Sequence, residues 1–222
     1  MPKGKVKSPR SIARKLSSAR VFLDNAQKNA VIGKMLALFG YKKTKLAEGQ
    51  KQLDDAENTV NEFDSKYGRQ LTITKNLEKN WDAADEKFAV TRKVARILFG
   101  KDPGDKRALA LVGDRSKALP VWIRQAKTLY SNLLKSKRRL EKMAEYNFTK
   151  AKLQAEYNQV KEVEKLDSKQ ESLKGDAQRG TKIRNKKIKT LDDWMGKARK
   201  FARLALAEKP QLLEKLGITI ES

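Results

Sequence analysis

The amino-acid sequence predicts an all-α fold of duplicated long helical hairpins, forming an elongated four-helix bundle or coiled-coil-like assembly with short terminal helices. Three observations support this prediction. Apolar residues step by threes and fours through much of the chain, which places them on one face of a helix. Valine, isoleucine and threonine do not recur in alternating runs of strand length, so no sheet is expected. Finally, the two halves of the chain match at a constant offset of 107 residues.

The internal match is clearest where Arg-Lys-Val-Ala-Arg-Ile at 92–97 aligns with Arg-Lys-Phe-Ala-Arg-Leu at 199–204. The same offset places Pro103 on Pro210 and Tyr41 on Phe148. Because one register holds without gaps over so many apolar positions, we interpret the pattern as an internal duplication. The predicted organisation is a basic, flexible N-terminal arm followed by two helical-hairpin repeats, at residues 1–17, 18–114 and 115–222.

The first repeat is predicted to contain a long helix, a turn and a return helix. The apolar seam of the long helix ends at Tyr67, and Gly68 suits a C-cap because a left-handed conformation costs glycine no Cβ strain. The return helix would run from about Leu77 to Leu98. Gly100 and the following Lys-Asp-Pro-Gly would end it.

The second repeat is predicted to follow the same plan. Pro120 suits the first turn of a helix, where its missing N–H has no partner to lose. That helix would cover 121–173, a turn would follow at 175–180, and the return helix would stop before Pro210. Since the first helix of a repeat is too long for its partner, either it breaks, at 33–40 in the first half, or its overhang packs on the other half. We favour the second arrangement.

The charge balance points to an anionic partner. The chain holds 51 Lys and Arg against 27 Asp and Glu, a formal net charge of +24. Such an excess opposes compaction unless something anionic neutralises it. Nucleic acid, an acidic protein and an anionic membrane surface all fit, and a generally basic proteome is the alternative without a specific partner.

The absence of cysteine and histidine excludes several kinds of site. Disulfides, thiolate chemistry, Cys/His zinc sites and histidine-containing catalytic triads all need these residues. The acidic group of Asp82, Asp85 and Glu86 could share a helix face, but no second carboxylate helix is predicted opposite it. We therefore interpret it as surface charge and predict no catalytic site, no metal site, no cofactor and no enzymatic activity.

Three basic clusters are the candidate binding residues for nucleic acid or another polyanion. The first is the N-terminal arm and its continuation, with Lys3, Lys5, Lys7, Arg10, Arg14, Lys15 and Arg20. The second lies where Glu141 is the only acid between Arg115 and Lys142, and contains Lys135, Lys137, Arg138 and Arg139. The third opens the last long helix, with Lys182, Arg184, Lys186, Lys187 and Lys189.

These features favour a non-enzymatic structural protein that binds DNA or RNA through phosphates, independently of sequence, in packaging, coating or organising it. The alternative is a self-assembling helical scaffold or filament subunit whose basic arm docks on neighbouring subunits. A homo-oligomer is expected in either case. No apolar run reaches the ~18 residues of a membrane span, so we expect an intracellular protein of the cytoplasm or nucleoid. The basic N-terminus leaves organelle import open.

Overall fold

The computed structural model describes residues 9–219, and of Pro9 and Arg10 it describes only the backbone. This part of the chain forms eight helices and no strand, so the predicted all-α class is confirmed. The helices are α1 (Pro9–Lys28), α2 (Ala30–Leu38), α3 (Lys43–Phe99), α4 (Pro103–Ala108), α5 (Leu119–Leu134), α6 (Lys137–Ala144), α7 (Lys150–Ala205) and α8 (Gln211–Lys215).

The first four helices recur as the last four at the offset found in the sequence. The helix α2 begins at Ala30 and α6 at Lys137, and the long helices α3 and α7 begin at Lys43 and Lys150. The long helices also have nearly the same length, 57 and 56 residues. The repeat in the sequence therefore corresponds to a repeat of helical elements.

The turn into each long helix passes through a residue with positive φ, which is 83° at Gly40 and 63° at Asn147. Glycine has no Cβ to clash there, and asparagine tolerates the left-handed region better than most residues. The next N–H, of Tyr41 or Phe148, donates to the carbonyl five residues earlier at 3.1 Å in both repeats. This bond is typical of a Schellman helix end, so the duplicated segments share their turn geometry.

The predicted turns at Gly68 and at 175–180 are wrong, because α3 and α7 continue through them without interruption. A glycine inside a helix costs only about 1 kcal/mol relative to alanine. The turns next to Gly68 are mostly exposed, but α3 packs into the core of unit 1 before them, at Ala56, and into the core of unit 2 after them, at Leu77. Each predicted hairpin is therefore a single long helix.

The predicted helix over 121–173 is interrupted twice. Ser136 caps α6 by accepting a hydrogen bond from the backbone N–H of Arg139, and the positive φ of Asn147 separates α6 from α7. The corresponding break in the first half follows Leu38. It falls within 33–40, the segment that the sequence offered as a breaking point.

The chain divides into two compact units that cut across the sequence repeats. Unit 1 contains the described residues up to Tyr67 and those from Asp176 onward, and unit 2 contains Gly68–Gly175. Each unit thus takes part of α3 and part of α7, together with the short helices of both repeats. The predicted arm at 1–17 also differs from the structure, since its described residues lie in α1.

The core of unit 1 joins α1, α2, α8 and the adjoining parts of α3 and α7. Trp194 of α7 belongs to this core and lies edge-on to Phe22 and Tyr41, with ring centroids 6.5 and 5.7 Å away. Gly49 of α3 makes room for this ring, because a Cβ at that position would lie 2.4 Å from it. The absence of a side chain at Gly49 is therefore a packing requirement.

The core of unit 2 joins α5 and α6 to the second part of α3 and the first part of α7. Trp122 of α5 is fully buried and packs edge-on to Trp81 and Phe88 of α3. Its indole N–H donates to the carboxylate of Asp85 at 2.6 Å. Trp122 is therefore a core residue that ties the second repeat to the long helix of the first, and the half-buried Trp81 packs against the same core.

The continuity of α3 can be tested with Gly68→Ala. Nothing lies within 4 Å of the added Cβ, so the substitution should raise the free energy of unfolding by about 0.5–1 kcal/mol through helix propensity. Urea unfolding followed by circular dichroism measures this. A loss of stability would instead indicate a left-handed residue and a helix end at Gly68. Gly49→Ala, in the same helix, is the control and should cost about 1–3 kcal/mol through overpacking against Trp194.

Candidate nucleic-acid interface

The first basic cluster is partly committed to contacts within unit 1. Arg14 is exposed on α1. Lys15, however, forms an ion pair with Asp192 of α7, and Arg20 pairs with Glu57 of α3 at 2.6 Å. These two side chains therefore have partners that compete with any polyanion. Lys3, Lys5, Lys7 and the side chain of Arg10 lie outside the described residues.

The second cluster is divided between solvent and one buried carboxylate. Lys135 and Lys137 are exposed. Arg138 and Arg139 both donate to Asp105, whose side chain is only 5% exposed, at distances of 2.6–3.0 Å. Asp105 thereby fixes the start of α6 against α4, and the two arginines have a structural role.

Burial alone raises the pKa of Asp105, but the hydrogen bonds from Arg138 and Arg139 outweigh it and hold that pKa below its ordinary 3.8. The folded protein therefore binds the Asp105 proton less readily than the unfolded chain does. The Asp105 carboxylate therefore stabilises the fold at pH values above its pKa in the unfolded chain, about 4. This stabilisation is lost as the pH falls through the lower pKa of the folded protein.

The third cluster separates onto two faces of α7. Arg184 is buried and lies over the ring of Phe63, 4.2 Å from its centroid. Lys187 donates to Asp55 of α3 at 2.7 Å. Lysines at 182, 186 and 189 are exposed on the opposite side of the helix. Residues that were predicted as one cluster because they are close in the sequence therefore have different partners in the fold.

The outward lysines continue along α7 beyond the predicted cluster, and we call the set the α7 lysine stripe. Its members are exposed and fall within an arc of about 80° at 3.6 residues per turn; they are Lys182, Lys186, Lys189, Lys197 and Lys200. Their positions span about 27 Å of helix. Asp193 is the one acidic residue among them in the described chain, and it accepts a hydrogen bond from Lys189.

Lys197 and Lys200 were missed from the sequence because the search followed runs of adjacent basic residues. They lie outside the dense run but keep its spacing of three and four residues on one helix face. A search for helical periodicity among the charged residues would have found them.

The face of α3 that corresponds to the α7 lysine stripe in the other repeat has a different charge. At the offset of 107 residues the stripe positions are occupied by Lys75, Lys79, Asp82, Val90 and Lys93. Two lysines of the stripe are thus replaced by an acid and a valine, and Asp193 is replaced by Glu86. The duplicated frame therefore carries a lysine-rich face on α7 and a mixed face on α3.

The repeated Arg-Lys-x-Ala-Arg motif has a structural role in unit 2. Arg92 donates to the carbonyls of Ala110 and Gly113 at 3.2 and 3.0 Å, and Arg96 donates to that of Leu111 at 2.8 Å. Burial, aided by the charge of Arg96, lowers the pKa of Arg92. These arginines hold the loop after α4.

Acidic residues are not gathered into a metal site within residues 9–219: no group of three or more has the arrangement to hold an ion. Asp85 and Asp192, which correspond at the offset of 107, are each bonded to a residue of the first helix of a repeat. Their shared role is thus to join a long helix to α1 or α5. In the same range, no helix is long and apolar enough to cross a membrane.

Asp105→Asn tests the role assigned to Arg138 and Arg139. Loss of the carboxylate leaves two guanidinium groups without their partner and should cost about 1–3 kcal/mol of unfolding free energy at pH 7. The difference from the parent protein should shrink as the pH falls below about 4, in line with the lowered pKa of Asp105. Urea midpoints between pH 7 and pH 3 measure both effects. Asp82→Asn, on an exposed face, is the control and should change stability by less than about 0.5 kcal/mol; a pH-independent loss at Asp105 would contradict the assignment.

The chain matches no protein-family model, no curated protein and no solved structure with which it was compared.

Proposed function

We propose that the protein binds nucleic acid without regard to sequence, and that the α7 lysine stripe contacts the phosphates. The observation that carries this proposal is the alignment of five exposed lysines on one helix face. Each lysine that neutralises a phosphate releases condensed counterions, and this release drives sequence-independent binding. Arg14 is a further exposed cation of the same unit.

The dimensions of the stripe suit a phosphate backbone. Its length of about 27 Å matches roughly eight nucleotide steps of B-DNA at 3.4 Å each. Lysine presents a compact charge on a flexible stem, so it neutralises phosphates without imposing the planar geometry of an arginine contact. The stripe itself contains no aromatic side chain for base stacking. Binding through it would therefore be electrostatic, and the protein would package, coat or organise nucleic acid.

The two repeats allow a matched test of this proposal. Lys182, Lys186 and Lys200 occupy the same repeat positions as Lys75, Lys79 and Lys93. Substituting either set with glutamine removes the same charge from the same positions of a long helix. The two triple variants differ only in whether the altered face belongs to the stripe.

The stripe variant should bind a 20-base-pair duplex at least ~10-fold more weakly at 0.1 M salt. Its plot of log affinity against log salt should be shallower by about 0.9 for each lysine that contacts a duplex phosphate. The α3 variant should stay near the parent protein. Fluorescence anisotropy with duplexes of two unrelated sequences, and with single-stranded RNA, measures both quantities. Equal losses in the two variants would show only a general effect of net charge and would contradict the assignment to α7.

Self-assembly is a second candidate function, favoured by two exposed apolar residues. Ile97 on α3 is 78% exposed and Leu204 on α7 is 61% exposed, and the two correspond at the offset of 107 residues. Large apolar side chains at the same position of both repeats offer two similar faces for association. Similar faces are what a repeating scaffold needs.

The double variant Ile97→Lys and Leu204→Lys tests this second candidate. If the faces mediate assembly, light scattering of nucleic-acid-free protein in 0.5 M salt should show an oligomer that becomes a monomer in the variant. Because the replaced residues are exposed, the thermal midpoint should remain close to that of the parent. A parent protein that is monomeric throughout the micromolar range would exclude assembly through these residues.

A further inference from the structure

Unit 1 contains an apolar cavity of about 670 Å³ where the end of α1, the helix α2 and the start of α3 meet. Its walls consist mainly of small or apolar residues, including Ala26, Ala30, Gly33, Ala37, Tyr41 and Leu46. Tyr41 is buried, and this burial raises the pKa of its hydroxyl. The volume lies in the range of small-molecule sites, which are usually apolar with a few polar groups.

The second repeat has large side chains at two of the positions that leave this space open. Ala26 corresponds to Leu133, which is fully buried, and Gly33 corresponds to Leu140, which packs against the core of unit 2. The helices on which these pairs lie correspond in the two repeats: α2 and α6 begin at the same repeat position, and the ends of α1 and α5 differ by one residue. The fold therefore accepts leucine at both places, and the cavity in unit 1 follows from the residues that this repeat carries.

Lysines surround the apolar space. Lys28, Lys34, Lys42 and Lys43 all lie at the cavity, and Lys28 approaches Asp24 at 3.5 Å. The other three form no ion pair with any described residue. Two of them again distinguish the repeats, because Lys34 corresponds to Glu141 and Lys42 to Thr149.

We propose that this cavity binds a single-chain amphiphile with an anionic head group, such as a long-chain carboxylate. The apolar walls would remove the chain from water, and free energy is gained in proportion to the apolar area buried. The ammonium groups of Lys34, Lys42 and Lys43 would neutralise the head group at the cavity mouth. The second repeat has leucines in place of the two small residues and lacks two of these three lysines, while Lys43 corresponds to Lys150.

Two variants place residues of the second repeat at the corresponding positions of the first. One tests the contribution of the apolar space and the other that of the lysine charges. Ala26→Leu with Gly33→Leu fills the space, and a Cβ at Gly33 would lie 3.2 Å from the Ala26 carbonyl, so only a small backbone adjustment is needed. Lys34→Glu with Lys42→Thr changes only exposed side chains. The triple Lys→Gln variant of the α7 stripe is the control for general charge.

Isothermal titration with sodium dodecanoate, kept below its micelle concentration, tests the proposal, with dodecanol as the uncharged probe. The leucine variant should lose binding of both probes. The Lys34/Lys42 variant should bind dodecanoate at least tenfold more weakly and dodecanol unchanged, while the stripe variant should bind both like the parent. No binding of dodecanoate by the parent protein, or undiminished binding by the folded leucine variant, would overturn the proposal. If the leucine variant does not fold, undiminished dodecanoate binding by the Lys34/Lys42 variant overturns it.

A vesicle experiment distinguishes a free amphiphile from a membrane lipid. Dodecanoate binding without association with phosphatidylglycerol vesicles indicates a free carboxylate as the ligand. Vesicle association that the leucine variant loses indicates a lipid chain drawn from the bilayer. Nucleic-acid binding is measured on the triple lysine variants of α7 and α3, and amphiphile binding on the cavity variants. The proposed nucleic-acid binding and the proposed amphiphile binding can therefore fail independently.

Discussion

The sharing of each core between the two sequence repeats is the constraint on which the rest of the structure depends. Neither repeat can bury its apolar residues alone, because the core of unit 1 needs the last part of α7 and the core of unit 2 needs the second part of α3. Contacts such as the pair of Lys15 with Asp192 span 177 residues of sequence. Closing such long loops costs entropy before any contact repays it, so the two halves have to fold together.

The duplicated frame tolerates different interiors. At Gly49 of the first repeat the space is filled by Trp194, whereas the second repeat has Glu156 at the corresponding position. That carboxylate is buried and accepts hydrogen bonds from Thr91 at 2.6 Å and from Tyr130 at 3.0 Å. Burial, aided by the charge of Glu156, strongly raises the pKa of Tyr130. The polar group is therefore satisfied by two hydroxyls, and the same repeat position faces an aromatic ring in unit 1 and carries a hydrogen-bonded carboxylate in unit 2.

The sequence was sufficient for the helical class, which depends on local spacing, and for the repeat of helical elements, which depends on one constant offset. The ends of the long helices could not be derived in this way. Gly68 carries the local signal of a C-cap, but whether a glycine ends a helix depends on the tertiary packing of the turns beyond it. Tertiary packing also decides which residues of a basic cluster are exposed. Arg184 and Lys186 are two residues apart, yet Arg184 is buried over Phe63 and Lys186 is exposed. Spacing along the chain alone does not show which cations have partners.

The separation of paired from exposed cations bears on how the protein tolerates its charge of +24. Cations such as Arg139 and Lys187 contact carboxylates of other helices, so they contribute to the fold whether or not a ligand is bound. The lysines of the α7 stripe are close to one another on one helix face, and their mutual repulsion opposes the folded state. A polyanion that neutralises them removes this repulsion and binds the folded state in preference to the unfolded one. By linkage, the cations that weaken the free protein are the ones through which a nucleic acid would stabilise it most.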